Sequence, residues 1–346
     1  MKDILPVIMD TTFTRLAVID DYVSFIWTPR YYSPGDFELV LPAGKYMSVI
    51  AADYYVARDD DENVGIIEDI QLQRDEDGRN IMIVSGRFLL SILERRIIAT
   101  QTSLAGNVGD CVSQLLTDNV IAPYILDREI PNFVLGAFSV SGTMQAQYTG
   151  KNLLETTEEI CDSYGLGQKV TLDSLNRFVY TMYEGTDRTY DQNVNPWVVF
   201  SDKYDNLLSS HYEENYRDHK TAVLVAGEGE GLDRRTLWLT EGETGLDRRE
   251  IYKDQRQIRS NGGEISDADY DDMLEEAGKE ALKPWTTAFS GTVYFDNVKY
   301  KTDVFLGDLC VIENSVWGIY INARLVEVIE SVSETGEYSI IPTFGI

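Results

Sequence analysis

The chain of 346 residues carries 58 Asp and Glu against 30 Lys and Arg, a net charge of −28. Such a field repels phosphate backbones and argues against duplex DNA binding through a basic footprint. It is compatible with DNA passing by without sticking, and solubility is its simplest use. Hydrophobic residues make up 43% of the chain and Tyr occurs 21 times, which marks a globular protein of about two or three domains. Cys111, Cys161 and Cys310 form no CxxC pair and are odd in number, so neither a disulfide framework nor a zinc site is expected. The N-terminal apolar run is broken by Pro6 and Asp10 and is not a signal peptide. No apolar run is long enough for a membrane span, so the product is expected to be soluble and made in a reducing cytosol.

In chain order, Ile4–Met9, Thr14–Asp20 and Val23–Thr28 read as strands. Ser33–Asp36 is a tight turn, after which Phe37, Leu39 and Leu41 share one face until Pro42. Tyr54–Arg58 and Val64–Arg74 follow as strands, separated by the acidic run Asp59, Asp60, Asp61 and Glu62. Arg74, Asp75, Glu76 and Asp77 open a hairpin tip at Asp77-Gly78, and Asn80–Gly86 returns. Phe88 to Arg96 switches to helical spacing.

From Thr100 the texture is mixed. Val108–Asn119 reads as a helix with Asn107 as its N-cap, and Asn152–Tyr164 as another ended by Gly165. Phe133–Val140 reads as a strand, and Lys169–Leu172 with Arg177–Tyr183 as a hairpin. Glu184–Asn195 is a polar connection. Strand texture resumes at Trp197–Phe200, Asn206–Tyr216 and Thr221–Ala226. Gly231–Arg235 (GLDRR) is echoed at Gly245–Arg249, which suggests matched turns at the two ends of a hairpin arm. Ser266–Lys283 is a helix with Ser266 as its cap, acids in its first turn and lysines toward its end, stopped by Pro284. Thr286–Lys299 and a closing antiparallel meander, Leu309–Pro342, end the chain. A terminal meander must pair with something earlier or leave an open edge.

The chemistry is read mostly by exclusion. His211 and His219, the only histidines, sit in no ligand spacing. No nucleophile elbow, P-loop or dinucleotide fingerprint is present, and the glutamates of Gly227–Gly231 would repel phosphate. Asp59–Glu62 lacks the alternation of a calcium loop and reads better as a solvated connection. No catalytic, cofactor or metal residue is expected. Trp27, Trp197, Trp238, Trp285 and Trp317 suit core or interface burial, or a sugar groove.

Phe13–Ala43 (FTRLAVIDDYVSFIWTPRYYSPGDFELVLPA), Gly86–Ile98 (GRFLLSILERRII), Ala226–Arg235, Gly245–Glu250, LGDLCVI, WGIYINARLVEVIE and the closing PTFG together resemble tail hub proteins of long-tailed bacteriophages and prophages. The resemblance covers nearly the whole chain and is least specific in the middle. It implies a mainly β fold with α+β insertions, in which two tube-like β-barrel domains carry smaller α+β domains. The expected division is residues 1–99, a first barrel; 100–195, an α+β domain; and 196–346, a second barrel with a helical insertion around 250–285. The family implies a homotrimeric, pseudo-hexameric ring at the tail tip of the virion. Its partners would be the distal tail protein ring, the tape measure protein and receptor-binding or fibre proteins, with DNA passing through. Many relatives continue into fibres or a peptidoglycan-cleaving domain where this chain stops at Ile346, so those activities are expected from another protein. Asp59, Asp60, Asp61, Glu62, Arg74, Asp75, Glu76 and Asp77 are candidate lumen or ring-contact residues. The alternative reading is an acidic carbohydrate-binding or glycoside-cleaving β-protein.

Overall fold

One strand organises the molecule. In the computed structural model, which describes residues 4–74, 78–207, 209–240, 242–279, 281–282, 286–290 and 298–345, Ile319–Val332 runs for 14 residues. Its Ile, Val, Leu and Tyr content favours an extended, half-buried backbone. One edge pairs with Tyr338–Gly345, with a register shift between Leu325 and Glu327. The other edge is shared. Its first part pairs with Leu309–Asn314, and its last residues, Glu330–Val332, pair with Phe25–Trp27 near the start of the chain.

From there the sheet extends both ways. On the N-terminal side Ser24–Thr28 leads to Asp36–Pro42, Asn80–Arg87 and Asp69–Arg74. On the other, Tyr338–Gly345 leads to Thr286–Ser290 and His211–Asn215, while Leu309–Asn314 takes Val199–Ser201 in parallel. The result is a ten-stranded sheet built from both ends of the chain. Together with four smaller sheets among the described residues it makes the protein mainly β.

The N-terminal side differs from the sequence reading at one place. Val64–Arg74 is two strands in two sheets. Val64–Ile66 pairs with Tyr55–Arg58 in a four-stranded sheet, and Asp69–Arg74 joins the ten-stranded one. The transfer takes two residues: Ile67 N donates to Tyr54 O, and Glu68 N donates to Ser85 O. A Cβ on Gly86 would lie 1.8 Å from Ile66 O, so only glycine lets the strand pass this corner. Trp27, Phe25, Phe37, Leu39 and Val84 of the long sheet meet Ile8 and Val56 of the smaller one, and Val332 completes this core from the far end of the chain. Phe37, Leu39 and Leu41 face inward as their spacing predicts, and Val40 is buried as well.

In the middle segment α1 (Val108–Leu116) is capped by Asn107, whose Oδ1 accepts from Gly109 N at 2.9 Å. It ends sooner than predicted and passes into a wider turn, Thr117–Ile121. α2 (Leu153–Ser163) is capped by Asn152 and ends before Gly165 at φ 63°. Both pack with the Gly167–Leu172/Phe178–Tyr183 hairpin and with Leu89, Leu90, Ile92 and Leu93 in one core. The predicted strand Phe133–Val140 is confined to Phe133–Leu135. The ribbon of Thr102–Asn107 with Thr143–Tyr148 escaped the sequence reading, because Gly and small polar residues dilute its alternation.

Farther on, α3 (Asp267–Lys279) lays Tyr270, Met273, Leu274 and Ala277 on a three-stranded sheet of Thr236–Thr240, Ala222–Ala226 and Glu250–Asp254. Lys283, Pro284, Trp285 and part of the predicted strand Thr286–Lys299 lie outside the described residues. Among the described residues no helix is long and apolar enough to cross a membrane.

Trp27→Ala should lower stability by about 3–5 kcal/mol. Because Trp27 and Glu330 are register partners, the urea midpoint read by far-UV circular dichroism should shift together with that read by amide exchange in Ile319–Val332. Separate midpoints would show that the two ends of the chain do not unfold as one sheet.

Candidate functional site at the sheet junction

Where Glu330 meets Trp27, the sheet carries a buried charge cluster. Arg58 ends the strand Tyr55–Arg58, and its side chain is 0% exposed. Its Nε and Nη2 donate to Asp60 at 2.9 and 2.8 Å, and Nη2 also reaches Glu330 Oε2 at 3.1 Å. The guanidinium sits over the Trp27 ring, 5.6 Å from its centroid. Glu330, also buried, accepts from Lys301 Nζ at 2.9 Å and from the Tyr338 hydroxyl at 2.8 Å. Lys301 Nζ donates in addition to Asp61 at 2.5 Å.

Each ion removed from water costs several kcal/mol, so this cluster holds only because every charge faces an opposite one. Burial pushes the Glu330 carboxyl up, but Arg58 and Lys301 outweigh it and hold the group below its ordinary range. Burial pushes Lys301 down, and Asp61 and Glu330 more than reverse it. The Tyr338 phenol is raised by burial and then by the Glu330 charge.

The acidic run singled out in the sequence is therefore a set of ties. Asp59 pairs with Arg15 at 2.8 Å, Asp60 with Arg58, Asp61 with Lys301, and Glu62 with Lys169 at 2.6 Å. Four consecutive carboxylates bind cations from four separate segments. The Asp59 pair is solvent-exposed and contributes little, while Asp61 is buried and belongs to the network. Arg74 ends the edge strand Asp69–Arg74, all of it exposed. Asp75, Glu76 and Asp77 lie outside the described residues.

Beside the network opens a cleft of about 400 Å³, lined in part by Asp61, Glu62, Lys169, Tyr183, Tyr300 and Lys301. Its far wall rests on two further anchors. Tyr31 is fully buried; its hydroxyl donates to Gly165 O at 3.1 Å and accepts from Gly185 N at 2.9 Å, which ties the middle segment to the junction. Asp308 accepts from Arg188 Nε at 2.6 Å and from Thr186 N at 2.9 Å. That buried carboxylate orders the polar connection Glu184–Asn195.

The described residues place no nucleophile beside a base at this junction. Cys111, Cys161 and Cys310 are buried free thiols, each raised by burial. His211 is exposed on an edge strand, and His219 packs on the Tyr216 ring. Among the described residues no group of three or more His, Cys, Asp or Glu could hold a metal ion. The arrangement locks the N-terminal and C-terminal β segments together.

Residues 5–346 match the Siphovirus ReqiPepy6 Gp37-like protein family. The chain belongs to this family. The fold of this Gp37-like chain is shared with solved tail proteins. It is similar to the tail protein from Neisseria meningitidis MC58, with TM-score 0.61, 14% identity and coverage of 100% of this chain and 97% of that one. For the prophage MuSo2 43 kDa tail protein from Shewanella oneidensis the values are 0.58 and 13%, covering 99% and 97%. For the prophage tail protein gp18 from Listeria monocytogenes EGD-e they are 0.56 and 14%, covering 99% and 94%. No curated protein matches the sequence. The resemblance to phage tail proteins seen in the sequence thus holds for the family and for the fold.

Glu330→Ala should leave Arg58 with Asp60 alone and Lys301 with Asp61 alone and cost about 3 kcal/mol in urea denaturation, whereas Asp59→Asn should change stability by under about 0.5 kcal/mol. The folded Glu330 value is depressed, so its contribution is present above the ordinary carboxylate range and lost as pH falls through the folded value. Glu330→Gln should therefore flatten the acid side of a melting-temperature profile. Glu158 on α2 behaves oppositely: burial, then Glu155 and Glu94, push it from 4.5 up to about 7. A raised carboxyl loses stability as pH rises from the ordinary to the folded value. Glu158→Gln should accordingly raise the melting temperature at pH about 8 and leave it nearly unchanged at pH about 4. Equal gains at both pH values would refute the assignment.

Proposed function

We propose that this Gp37-like chain is a structural, non-enzymatic component of the virion, the hub of the tail tip. Three copies form a ring of pseudo-hexameric symmetry that joins the tail tube and distal tail ring to the tip. The ring surrounds the end of the tape measure protein, anchors receptor-binding or fibre proteins, and forms the channel for DNA ejection. The observation that carries this reading is the sheet shared by both ends of the chain and closed by the buried Arg58–Glu330–Lys301 network, on a fold also found in phage and prophage tail proteins. A ring under ejection load needs its two β segments to move as one body, and such a network resists their separation.

In this reading residues 1–99 and 196–346 are the two tube-like barrel domains, the second with its helical insertion around 250–285, and residues 100–195 are the α+β domain. Separate cores within 196–346, one of Phe200, Ile312 and Phe344 and one of Val223, Tyr270 and Leu274, are consistent with a barrel and its insertion there, while one core runs across the boundary between residues 1–99 and 100–195. The net charge of −28 suits a channel past which DNA slides. Asp59, Asp60 and Glu62, whose side chains are partly solvent-exposed, and Arg74, Asp75, Glu76 and Asp77 at the hairpin are the proposed lumen or ring contacts.

Electron microscopy of the purified chain at high concentration, with class averages, tests the ring. Three-fold particles with a central hole, and peptides of the chain in purified virions, are expected. Monomers that bind cell-wall polysaccharide, from a chain missing in virions, would replace this reading with the carbohydrate one.

A further inference from the structure

The five-residue echo is part of a longer repeat. Gly231–Thr240 and Gly245–Asp254 each consist of a GLDRR turn followed by a five-residue strand. The two strands flank Ala222–Ala226, one antiparallel and the other parallel to it. They therefore run opposite to each other and are related by an approximate twofold normal to the sheet. The arginines follow that symmetry. Arg234 of the first unit lies over the Tyr252 ring of the second at 5.9 Å, and Arg248 of the second lies over the Trp238 ring of the first at 4.9 Å. Trp238, Leu224 and Tyr252 stand in one cross-strand row, with α3 on the opposite face.

The turns and the crossed arginines account for the fold of this sheet, but not for its leucines. Gly231 and Gly245, at φ 58° and 62°, set matching left-handed turns that leave Leu232 104% and Leu246 99% exposed. One exposed leucine is ordinary. The same idle leucine at equivalent positions of a duplicated device is not explained by folding. Around the two leucines lie exposed carboxylates, Glu230 and Asp233 at one end and Asp247 and Glu250 at the other. Arg234 is paired with Asp254 and Arg248 with Glu250, and Arg249 donates to Tyr216 O, so the carboxylates with no arginine partner of their own turn are Glu230 and Asp233 beside Leu232 and Asp247 beside Leu246.

The geometry points to this face as a docking surface for a different protein, one that presents two equivalent apolar sockets rimmed by lysine or arginine. Leu232 and Leu246 are the knobs, and Trp238 and Tyr252 with their stacked arginines form the platform between them. Aromatic and arginine side chains of this kind dominate protein interfaces. The carboxylates beside the two leucines, Glu230, Asp233 and Asp247, select a partner that is basic at the contact. The rings are partly covered by the arginines, which argues against sugar stacking as the use of this face. The inference does not depend on the ring reading.

The test places a photo-cross-linking residue at Leu232 or Leu246 of the full chain in phage-producing cells, with exposed Val194 as the control position. One and the same protein, with more Lys and Arg than Asp and Glu, is expected in the adducts from both positions. With the cross-linker at Leu246, Leu232→Ser should lower adduct yield by about tenfold, the affinity a buried leucine supplies. The melting temperature should not change. Adducts with the chain itself, with glycan, with different proteins at the two positions, or none above the Val194 control would overturn the proposal. Presence of the chain in virions is measured separately, so failure of the hub reading is distinguishable from failure of this one.

Discussion

The pairing of Glu330 with Trp27 across two antiparallel strands, and the charges gathered beneath it, is the constraint on which the rest depends. A ladder of three residue pairs would be a weak link between chain segments three hundred residues apart. Side-chain alternation makes it specific. A slip of one residue would turn Glu330 outward and bring Ile329 against Arg58. Arg58 would then keep only Asp60, and Lys301 only Asp61, as partners for buried charge, a cost above the loss of one backbone bond. The network thus acts on register, where an apolar substitute of equal volume would stabilise the sheet without selecting one alignment. Arg58 over Trp27 couples this electrostatic condition to the apolar core, because the ring that receives the cation also packs Phe25, Phe37 and Phe88.

The middle segment is attached by the same means at smaller scale. Tyr31 follows directly from the strand that carries Trp27, and it inserts between Gly165 and Gly185. A Cβ on Gly307 would sit 2.1 Å from its ring. Asp308, next in the chain, holds Arg188 and Thr186. Arg30, adjacent to Tyr31, pairs with Glu327 at 2.6 Å and Asp36 at 2.7 Å close to the register shift of the long strand. Buried polar ties therefore surround the cleft on several sides, and the segments they join are separated by more than a hundred residues. A protein built this way holds its distant segments in one fixed arrangement through its sheet. That suits a family of siphovirus proteins whose fold is also that of phage and prophage tail proteins.

The small sheet under α3 shows a different economy. Its inward face, with Leu237, Leu239 and Ile251 against Tyr270 and Leu274, needs only apolar residues at alternate positions. The second arginine of the first GLDRR turn serves that side, since Arg235 binds Asp267 and Asp271 at the start of α3. The first arginine of each turn serves the outer face. One pentapeptide thus supplies both faces of the sheet. The repetition reads as turn chemistry in the sequence and as a symmetric surface only once the strands are placed.

The amino-acid sequence by itself determined most of the helices and strands, two of the helix caps and the family, but not the ribbon of Thr102–Asn107 with Thr143–Tyr148. Asn107 and Ser266 act within three residues of themselves, and alternation in Phe37–Leu41 is a property of one strand; the cap at Asn152, read in the sequence as the first residue of its helix, is equally local. Local physics is readable because its partners are adjacent in the chain. The division of Val64–Arg74 between two sheets was not readable, because it is imposed by Tyr54 and Ser85 from neighbouring strands. Nor was the meaning of Asp59–Glu62. Its composition says acidic loop, and only the tertiary structure brings Lys301 to Asp61 across 240 residues. The same holds for Glu330, one of many glutamates in the sequence and the centre of the junction in the fold. Charge is written in composition, but its energetic weight is set by burial and by which opposite charge arrives, and both are decided by long-range packing.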